Sequence, residues 1–348
     1  MNPIKKLVVQ SNCQSLLKLK GELKQKVTGL DCLYYENGQY SQQLNSPMAA
    51  KASLIVMGEA FTCQQLDALL MLLAAQGVDG IAIHAPALIE KVTLLRLTLN
   101  NIPQTLKAAL DVFVKPHHLD FALMDSFPDW QKPGLILMDM DSTTIQIECI
   151  DEIARLYGVG DEVAAVTAQA MQGKLDFNES LRTRVSKLKD APITILKEVA
   201  DSMPLMPGLE VLIAGVKKAG WKIAIASGGF NYFADRLKQD LGFDHTVANT
   251  LEVSGEQLTG NVLGEIVNAQ VKARTLAELA KQYDIPMSQT VAIGDGANDL
   301  LMMESAAVGI AIHAKPIVQE KADVALNVTD LYGALALLSA TLCPSSWA

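Results

Sequence analysis

The second half of the chain alternates between short apolar runs and helical patterns, and this alternation is the feature that most constrains the fold. Strand-like runs occur at GLILMDM, WKIAIASGG, TVAIGDGAND, GIAIHA and ADVALNV, with helical periodicity between them. Alternation of this kind predicts an α/β domain with a doubly wound parallel sheet and helices on both faces. In such sheets the ligand lies outside the carboxyl ends of the strands. We therefore expect the functional residues just past each apolar run.

Several polar residues follow those apolar runs directly. They are Asp139 and Asp141, then Ser227 and Gly228, then Asp295, Asn298 and Asp299. Carboxylates held close together need compensation for their charge, and a hard divalent cation such as magnesium provides it through oxygen ligands. One carboxylate could then attack phosphorus and form an acyl phosphate, which splits one difficult displacement into two easier ones. A second carboxylate two residues further on could transfer the proton.

One segment interrupts the alternation of strands and helices. From Glu148 to about Met203 every pattern is helical, and this stretch is too long for a simple crossover between two strands. We predict a small helical domain, inserted over about residues 149–203, that closes over the rim of the sheet.

The first half of the chain has a different order of elements. Residues 49–126 show the order β-α-β-β-α-β, which is the ferredoxin-like plan of an α+β domain. The pattern resembles the ACT domain, a small regulatory module that often binds amino acids or forms dimers. We expect this domain either to bind an amino acid or to form a homodimer. Residues 1–48 are predicted to form an N-terminal extension, residues 127–134 a linker, and residues 135–348 the α/β domain.

Composition excludes several classes of partner. The formal net charge is −9 and the sequence has no basic stripe, which argues against a nucleic-acid surface. No apolar run reaches the roughly 18 residues of a membrane span, and the first residues lack a signal-peptide pattern. The five cysteines are scattered and form no CxxC pair. This pattern favours a cytoplasmic protein.

Four motifs in the second half carry a family resemblance. They are DMDSTT at 139–144, ASGG at 226–229, Lys272 in a helical run, and GDGAND at 294–299. Together and in this order they resemble the motifs of the haloacid dehalogenase superfamily, across roughly residues 135–330. The resemblance implies a HAD-like fold with a helical cap and phosphate transfer through an aspartyl phosphate. Thr144 departs from the signature, which prefers an aliphatic residue there; we expect this side chain to pack beneath the loop.

The superfamily resemblance implies roles for the acidic residues. Asp139 is the expected nucleophile and a magnesium ligand, Asp141 is the general acid and base and a ligand through its main-chain carbonyl, and Asp295 is the third ligand. Asp299 is expected to hold a metal-bound water. Ser227, the amide of Gly228, Lys272 and Asn298 are expected to bind the phosphoryl group or the substrate.

Within the superfamily, DSTTIQIECIDEIA and GKLDFNESLRTRV are similar to the phosphoserine phosphatase family. This resemblance implies that Glu148 pairs with the substrate ammonium and that Arg184 binds its carboxylate. The implied reaction is magnesium-dependent hydrolysis of O-phosphoserine to serine and phosphate, the last step of serine biosynthesis.

Two alternatives remain open at this point. The same chemistry could act on another small phosphorylated metabolite, or transfer the phosphoryl group to a second alcohol. A phospho-aspartate signalling switch is the alternative of another class. The helical insert and Asp141 argue against a switch, because a switch needs no lid and no neighbouring acid.

Overall fold

The structure is a computed structural model, which describes residues 15–20, 32–36, 38–41, 52–78, 80–171 and 174–340. Contacts divide the chain into two compact units, one comprising Met1–Trp130 with Asp323–Ala348 and the other comprising Gln131–Ala322. Most of the predicted N-terminal extension lies outside the described residues.

The first unit contains a sheet flanked by helices. Its strands are β1 (Leu33–Glu36), β2 (Gln39–Ser41), β3 (Ala52–Gly58), β4 (Ile81–Ile83), β5 (Ala87–Ile89), β6 (Val92–Leu99), β7 (Asp120–Met124) and β14 (Val324–Leu326), and its helices are α1 (Cys63–Ala75), α2 (Leu106–His117) and α12 (Asp330–Ser339). The strand order is β14-β7-β3-β6-β4-β1-β2, and β5 also pairs with β6. The predicted β-α-β-β-α-β order is present as β3-α1-β4-β6-α2-β7. The β1–β2 hairpin and β5 were not predicted.

The core of this unit follows from the two-residue period of strands β3 and β6 and from the helical period of α1. Alternate residues of β3 and β6 are fully buried with one face of α1; this core includes Leu54, Val56, Leu95, Leu97, Leu66, Leu69, Leu70 and Leu73. The helix begins at a capping box, in which the Thr62 hydroxyl accepts from the amide of Gln65 and the Gln65 side chain accepts from the amide of Thr62. The sequence pattern therefore decides both the start of α1 and the face that it buries.

A buried carboxylate joins β7 to the residues after β14. Asp120 is 2% exposed. It accepts hydrogen bonds from the amides of Asn327, Val328 and Thr329 at 2.9–3.1 Å, and from the Thr329 hydroxyl at 2.7 Å. This one side chain thus satisfies the main-chain donors that lead into α12.

The second unit contains the doubly wound sheet. Its strands are β8 (Leu135–Met138), β9 (Lys222–Phe230), β10 (His245–Ser254), β11 (Gln257–Leu263), β12 (Thr290–Gly294) and β13 (Val308–Ile312). Their order is β11-β10-β9-β8-β12-β13, and each pair except β10–β11 is parallel. The helices outside the insert are α7 (Leu209–Lys218), α8 (Asn231–Leu241), α9 (Ala269–Gln282), α10 (Leu300–Ser305) and α11 (Pro316–Lys321). The predicted α/β fold class is confirmed.

One expectation for this sheet was wrong. Only helical patterns were expected between the runs WKIAIASGG and TVAIGDGAND, but residues 245–263 form the antiparallel β10–β11 hairpin. Both strands carry many polar residues because their side chains are largely half-buried or exposed, and this weakened the strand pattern. A two-residue turn at Gly255 and Glu256 joins them, and Gly255 adopts a positive φ of 60°. A glycine at the first position of a two-residue turn is typical of a β-hairpin, and the sequence does contain this signal.

The predicted helical insert is present. Its helices are α3 (Cys149–Tyr157), α4 (Gly160–Met171), α5 (Phe177–Ser186) and α6 (Thr194–Asp201). At its base, the amide of Gln146 donates to the carbonyl of Pro204 at 2.9 Å. Among the helices in the described parts of the chain, none has the length and apolar character needed to cross a membrane.

The insert also bonds to the β10–β11 hairpin. The amide of Asp190 donates to the Leu258 carbonyl at 2.8 Å, and the amide of Ile193 donates to the Glu256 carbonyl at 2.9 Å. The Leu258 amide donates in return to the Ala191 carbonyl at 2.9 Å. The hairpin therefore supports the middle of the insert.

Candidate active site

Three neighbouring parallel strands end at one cavity. In the paired register, Met138 of β8 lies between Ile225 of β9 and Ile293 of β12. The cavity has a volume of about 410 Å³. Its lining includes these predicted residues: Asp139, Asp141, Glu148, Arg184, Ser227, Gly228, Asp295 and Asn298. The structure therefore brings together residues that are up to 159 positions apart in the sequence, from position 139 to position 298.

Lys272 lies behind Asp139 and is completely buried. Its Nζ is 2.8 Å from Asp139 Oδ2 and 2.7 Å from Asp299 Oδ1. Burial alone would lower the lysine pKa, but the two carboxylates raise it above its ordinary value. A buried ammonium paired with two carboxylates stays charged, so Lys272 can neutralise an oxyanion next to Asp139. Asn268 caps the start of α9 and so places Lys272 in the first turn of that helix.

Asp141 has the environment of a proton carrier. Its side chain is half-buried, and Oδ1 is shielded from solvent without a hydrogen-bond partner. Burial, together with the charges of Glu148 and Asp139, raises the pKa of Asp141 well above its ordinary value. A carboxyl group with a raised pKa keeps its proton to a higher pH than a free one and can donate it to a leaving group.

A second group of carboxylates fits a metal ion. Oxygen atoms of Asp139, Asp295 and Asp299 lie within 4.8 Å of one another. Burial and the charge of Asp139 raise the pKa of Asp295 to about 7. Hard oxygen ligands held close together against their mutual repulsion suit a divalent cation. The group contains two of the predicted ligands, and Asp299 joins it in addition to its ion pair with Lys272.

The end of β9, which carries Ser227 and Gly228, is fixed by hydrogen bonds. The Gly229 amide donates to Ser227 Oγ at 2.9 Å. Asn249, from β10, is buried; its side chain donates to the Gly228 carbonyl at 2.8 Å and accepts from the Val267 amide at 2.9 Å. Asn249 therefore fixes this end of β9, and it was not predicted because it lies in a strand that the sequence pattern did not indicate.

Glu148 and Arg184 lie in the same cavity, on the insert side. The Ser142 hydroxyl donates to Glu148 Oε1 at 2.8 Å. The Nε atom of Arg184 is buried without a hydrogen-bond partner. A buried guanidinium donor without an acceptor suits an anionic group of a ligand.

Several further lining residues were not predicted, among them Phe177 and Lys315. Phe177, at the start of α5, places its ring tip against Gly228, since a Cβ built on Gly228 would lie 2.7 Å from Phe177 Cζ. Lys315, just before α11, brings a further cation to the cavity. Neither belongs to a strand-end motif, so the signal that identified the other residues did not identify these two.

Thr144, the departure from the family signature, is fully buried as expected. Its hydroxyl donates to the main-chain carbonyl of Asp139 at 2.5 Å. The side chain therefore lies beneath the loop and contacts the nucleophile's backbone.

The sequence model of the haloacid dehalogenase-like hydrolase family matches residues 133–307. A phosphoserine phosphatase of Vibrio cholerae is 57% identical over 232 residues, which cover 67% of this chain and 71% of that protein. A phosphoserine phosphatase of Haemophilus influenzae is 52% identical over 231 residues, covering 66% of this chain and 74% of that protein.

Two solved structures extend this similarity. The unliganded structure of a probable phosphoserine phosphatase from Vibrio cholerae has a TM-score of 0.75 at 47% identity, and the alignment covers 88% of this chain and 93% of that one. A substrate-bound phosphoserine phosphatase complex has a TM-score of 0.57 at 43% identity, covering 60% of this chain and 99% of that one.

Proposed function

The chain belongs to the phosphoserine phosphatases of the haloacid dehalogenase-like hydrolase family, and we propose that it hydrolyses O-phosphoserine by way of an aspartyl phosphate on Asp139. One observation carries the proposed mechanism: a cavity at the ends of three strands combines Asp139, ion-paired to buried Lys272, with the proton carrier Asp141. The same cavity contains Glu148 and Arg184 for the serine part of the substrate.

The first chemical step is attack of an Asp139 carboxylate oxygen on phosphorus. Lys272 stays charged beside Asp139 and neutralises the oxygens of the phosphoryl group as it moves. Ser227 and the Gly228 amide orient the same group from the end of β9. The P–O bond to the serine oxygen breaks, and Asp141 donates its proton to that oxygen.

The second step releases phosphate. Asp141, now a carboxylate, accepts a proton from a water molecule that attacks the phosphorus atom of the aspartyl phosphate. This step restores the protonated Asp141 and the free Asp139. The raised pKa of Asp141 suits both halves of the cycle, because the group must donate a proton in the first step and accept one in the second.

A divalent cation completes the proposed site, and magnesium is the ion that we propose. Asp139, Asp295 and the main-chain carbonyl of Asp141 would hold it, and Asp299 lies in the same group of carboxylates. When bound, the ion supplies charge compensation for the transferring phosphoryl group. The excess of carboxyl groups over cations in the cavity supports this proposal.

Glu148 and Arg184 are the proposed specificity residues. The carboxylate of Glu148 would pair with the substrate ammonium, and the guanidinium of Arg184 would bind the substrate carboxylate through two hydrogen bonds. Asn298 would help to orient the phosphate.

The test is release of phosphate from O-phosphoserine, with and without magnesium. Asp139→Asn should lower kcat by several orders of magnitude, because an amide cannot form the acyl phosphate. The matched control is Asp240→Asn, an exposed residue on α8, which should retain wild-type turnover. Near-normal turnover by Asp139→Asn would overturn the mechanism.

The alternative substrates are tested in the same assay. Faster turnover of phosphate esters without a carboxylate would contradict the role of Arg184. An aspartyl phosphate that persists for hours without inhibitor would instead support a signalling switch.

For the N-terminal region we propose an ACT-like domain that forms a homodimer or senses an amino acid. The β3-α1-β4-β6-α2-β7 order supports this proposal. Sedimentation of the full chain, with and without free serine, tests both roles. A monomer that is unaffected by serine would contradict them. The cytoplasmic location stays a prediction from the cysteine pattern.

A further inference from the structure

Three consecutive side chains after Asp141 carry hydroxyl groups, and each hydroxyl donates to a different part of the site. We call Ser142, Thr143 and Thr144 the hydroxyl triplet. Ser142 Oγ donates to Glu148 Oε1 at 2.8 Å, Thr143 Oγ1 to Asp295 Oδ1 at 3.1 Å, and Thr144 Oγ1 to the main-chain oxygen of Asp139 at 2.5 Å. One short loop therefore contacts the substrate-recognition carboxylate, the cation-binding carboxylate and the nucleophile.

The backbone of Ser142 is held in an uncommon conformation. Its φ is 54°, in the left-handed region that residues with a Cβ rarely adopt. The Ser142 amide donates to the Ile147 carbonyl at 3.2 Å, so this conformation joins the loop to the residue just before Glu148. Strain of this kind persists where the surroundings hold it, and it points to a function for the residue.

Thr143 contacts the residue that follows strand β12. It is fully buried, and its partner Asp295 follows β12, 152 positions away in the sequence. A hydroxyl that donates to one oxygen of Asp295 fixes the rotation of the carboxylate. The other oxygen then faces a constant direction, which a cation site requires.

Thr144 acts on the main chain. Its amide donates to the Met140 carbonyl at 2.8 Å while its hydroxyl holds the Asp139 carbonyl. These bonds curl the loop back on itself and restrict rotation at Asp139. An aliphatic residue of the same size would fill the space and leave the carbonyl without this donor.

We propose that the hydroxyl triplet divides the positioning of the site among three residues, which act respectively on substrate recognition, cation binding and the chemical step. This inference rests on the proposed function for the identity of the substrate. It goes beyond that function because it assigns each hydroxyl a separate measured quantity: KM to Ser142, the magnesium dissociation constant to Thr143 and kcat to Thr144.

The experiment compares three variants, Ser142→Ala, Thr143→Val and Thr144→Val, each of which removes one hydroxyl. A hydrogen bond to a charged group is worth about 10-fold or more in an equilibrium constant. Ser142→Ala should raise KM for O-phosphoserine by about that factor and lower kcat less. It should leave KM for 3-phosphoglycerate, which has no ammonium, nearly constant.

Thr143→Val should weaken magnesium binding itself. We expect the dissociation constant from calorimetric titration of magnesium into the substrate-free protein to rise by about 10-fold. Thr143→Ser restores the donor and should return the constant towards the wild-type value. This readout does not depend on turnover.

Thr144→Val should lower kcat, with a smaller change in KM and in the magnesium dissociation constant. Thr144→Ser should restore most of kcat. Circular dichroism and thermal melting of each variant separate this effect from loss of fold.

A shared outcome would overturn the inference. If all three variants lose stability and change kcat, KM and magnesium binding alike, the triplet only supports the loop. Wild-type protein that binds magnesium but releases no phosphate from O-phosphoserine would instead contradict the proposed function. In that case the calorimetric comparison of Thr143→Val with Thr143→Ser still decides the cation-binding part.

Discussion

Gly228 is the position at which one methyl group should report on closure of the helical insert. A Cβ built on Gly228 would lie 2.7 Å from Cζ of Phe177, and its next nearest atoms, Cε2 and Cε1 of the same ring, would be at 3.5 and 3.6 Å. The φ of Gly228 is outside the left-handed region, so alanine fits its backbone. Gly228→Ala also keeps the amide that we propose as a phosphate donor. The substitution therefore adds only a steric contact with α5.

The required displacement follows from these distances. Ordinary van der Waals contact begins at 3.4 Å, so the ring tip must move by 0.7 Å, the difference between 3.4 and 2.7 Å. Overpacking of this size costs about 1–3 kcal/mol, and a misplacement of about 1 Å near reacting groups costs on the order of 10²-fold in rate. We expect kcat/KM for O-phosphoserine to fall by about 10–100-fold, with little change in the melting temperature because the insert can shift outward.

Steady-state phosphate release from O-phosphoserine measures this effect. In the Phe177→Leu background, Gly228→Ala should lower kcat/KM by a smaller factor than it does in the wild-type background, since the clash involves the ring tip. Strict additivity of the two single losses would refute a steric cause. A Gly228→Ala protein with wild-type kcat/KM would refute the close contact itself.

Three further changes have expected outcomes. Lys272→Met should lower kcat by about 10²–10³-fold, while Lys281→Met, exposed on the same helix, should not. Asp120→Asn should lower the free energy of unfolding in urea by about 1–3 kcal/mol, because one amide NH₂ must face a donor, and exposed Asp125→Asn should change it little. Burial raises the pKa of Asp295 to about 7 from 3.8, so its carboxyl group lowers the free energy of unfolding of the metal-free protein as the pH rises between these two values. Asp295→Asn should make the free energy of unfolding fall less steeply over this pH range.

Each of these has a clear contradicting result. Turnover by Lys272→Met within a few-fold of wild type would show that the buried ammonium does not act on the phosphoryl group. An equal effect of Asp120→Asn and Asp125→Asn would show that the four hydrogen bonds of Asp120 add nothing. A steeper pH dependence of stability in Asp295→Asn would reverse the sign argued for its carboxyl group.

The residues that directly follow strands were the part of the site that could be predicted. Asp139 and Asp295 each follow an apolar run, and parallel strands bring their carboxyl ends to the same edge of a sheet. The positions of these residues therefore depend on local pattern and on a general rule of topology. The helical insert was predictable for the same reason, because its periodicity covers more than fifty residues without a break.

Contacts set by loops and by distant pairing could not be predicted. The hydroxyl of Thr144 reaches the carbonyl of Asp139 only because the loop curls around Met140, and residue type alone does not show this. Phe177 meets Gly228 through the orientation of the insert. Asn249 was missed because half-exposed strands carry polar residues that hide their period. The antiparallel pairing of β14 with β7 joins segments about 200 positions apart, beyond the reach of any local pattern.

Main-chain hydrogen bonds attach the helical insert in two places, and this has a geometric consequence. One attachment is its base, where Gln146 bonds to Pro204, and the other is the hairpin, where Asp190 and Ile193 bond to main-chain carbonyls. A rigid body held at two separated points keeps a single axis of rotation, so opening without rupture of these bonds is a swing about the line that joins them. Phe177 would then move away from Gly228. Phosphate and serine would leave through the gap that opens between these two residues.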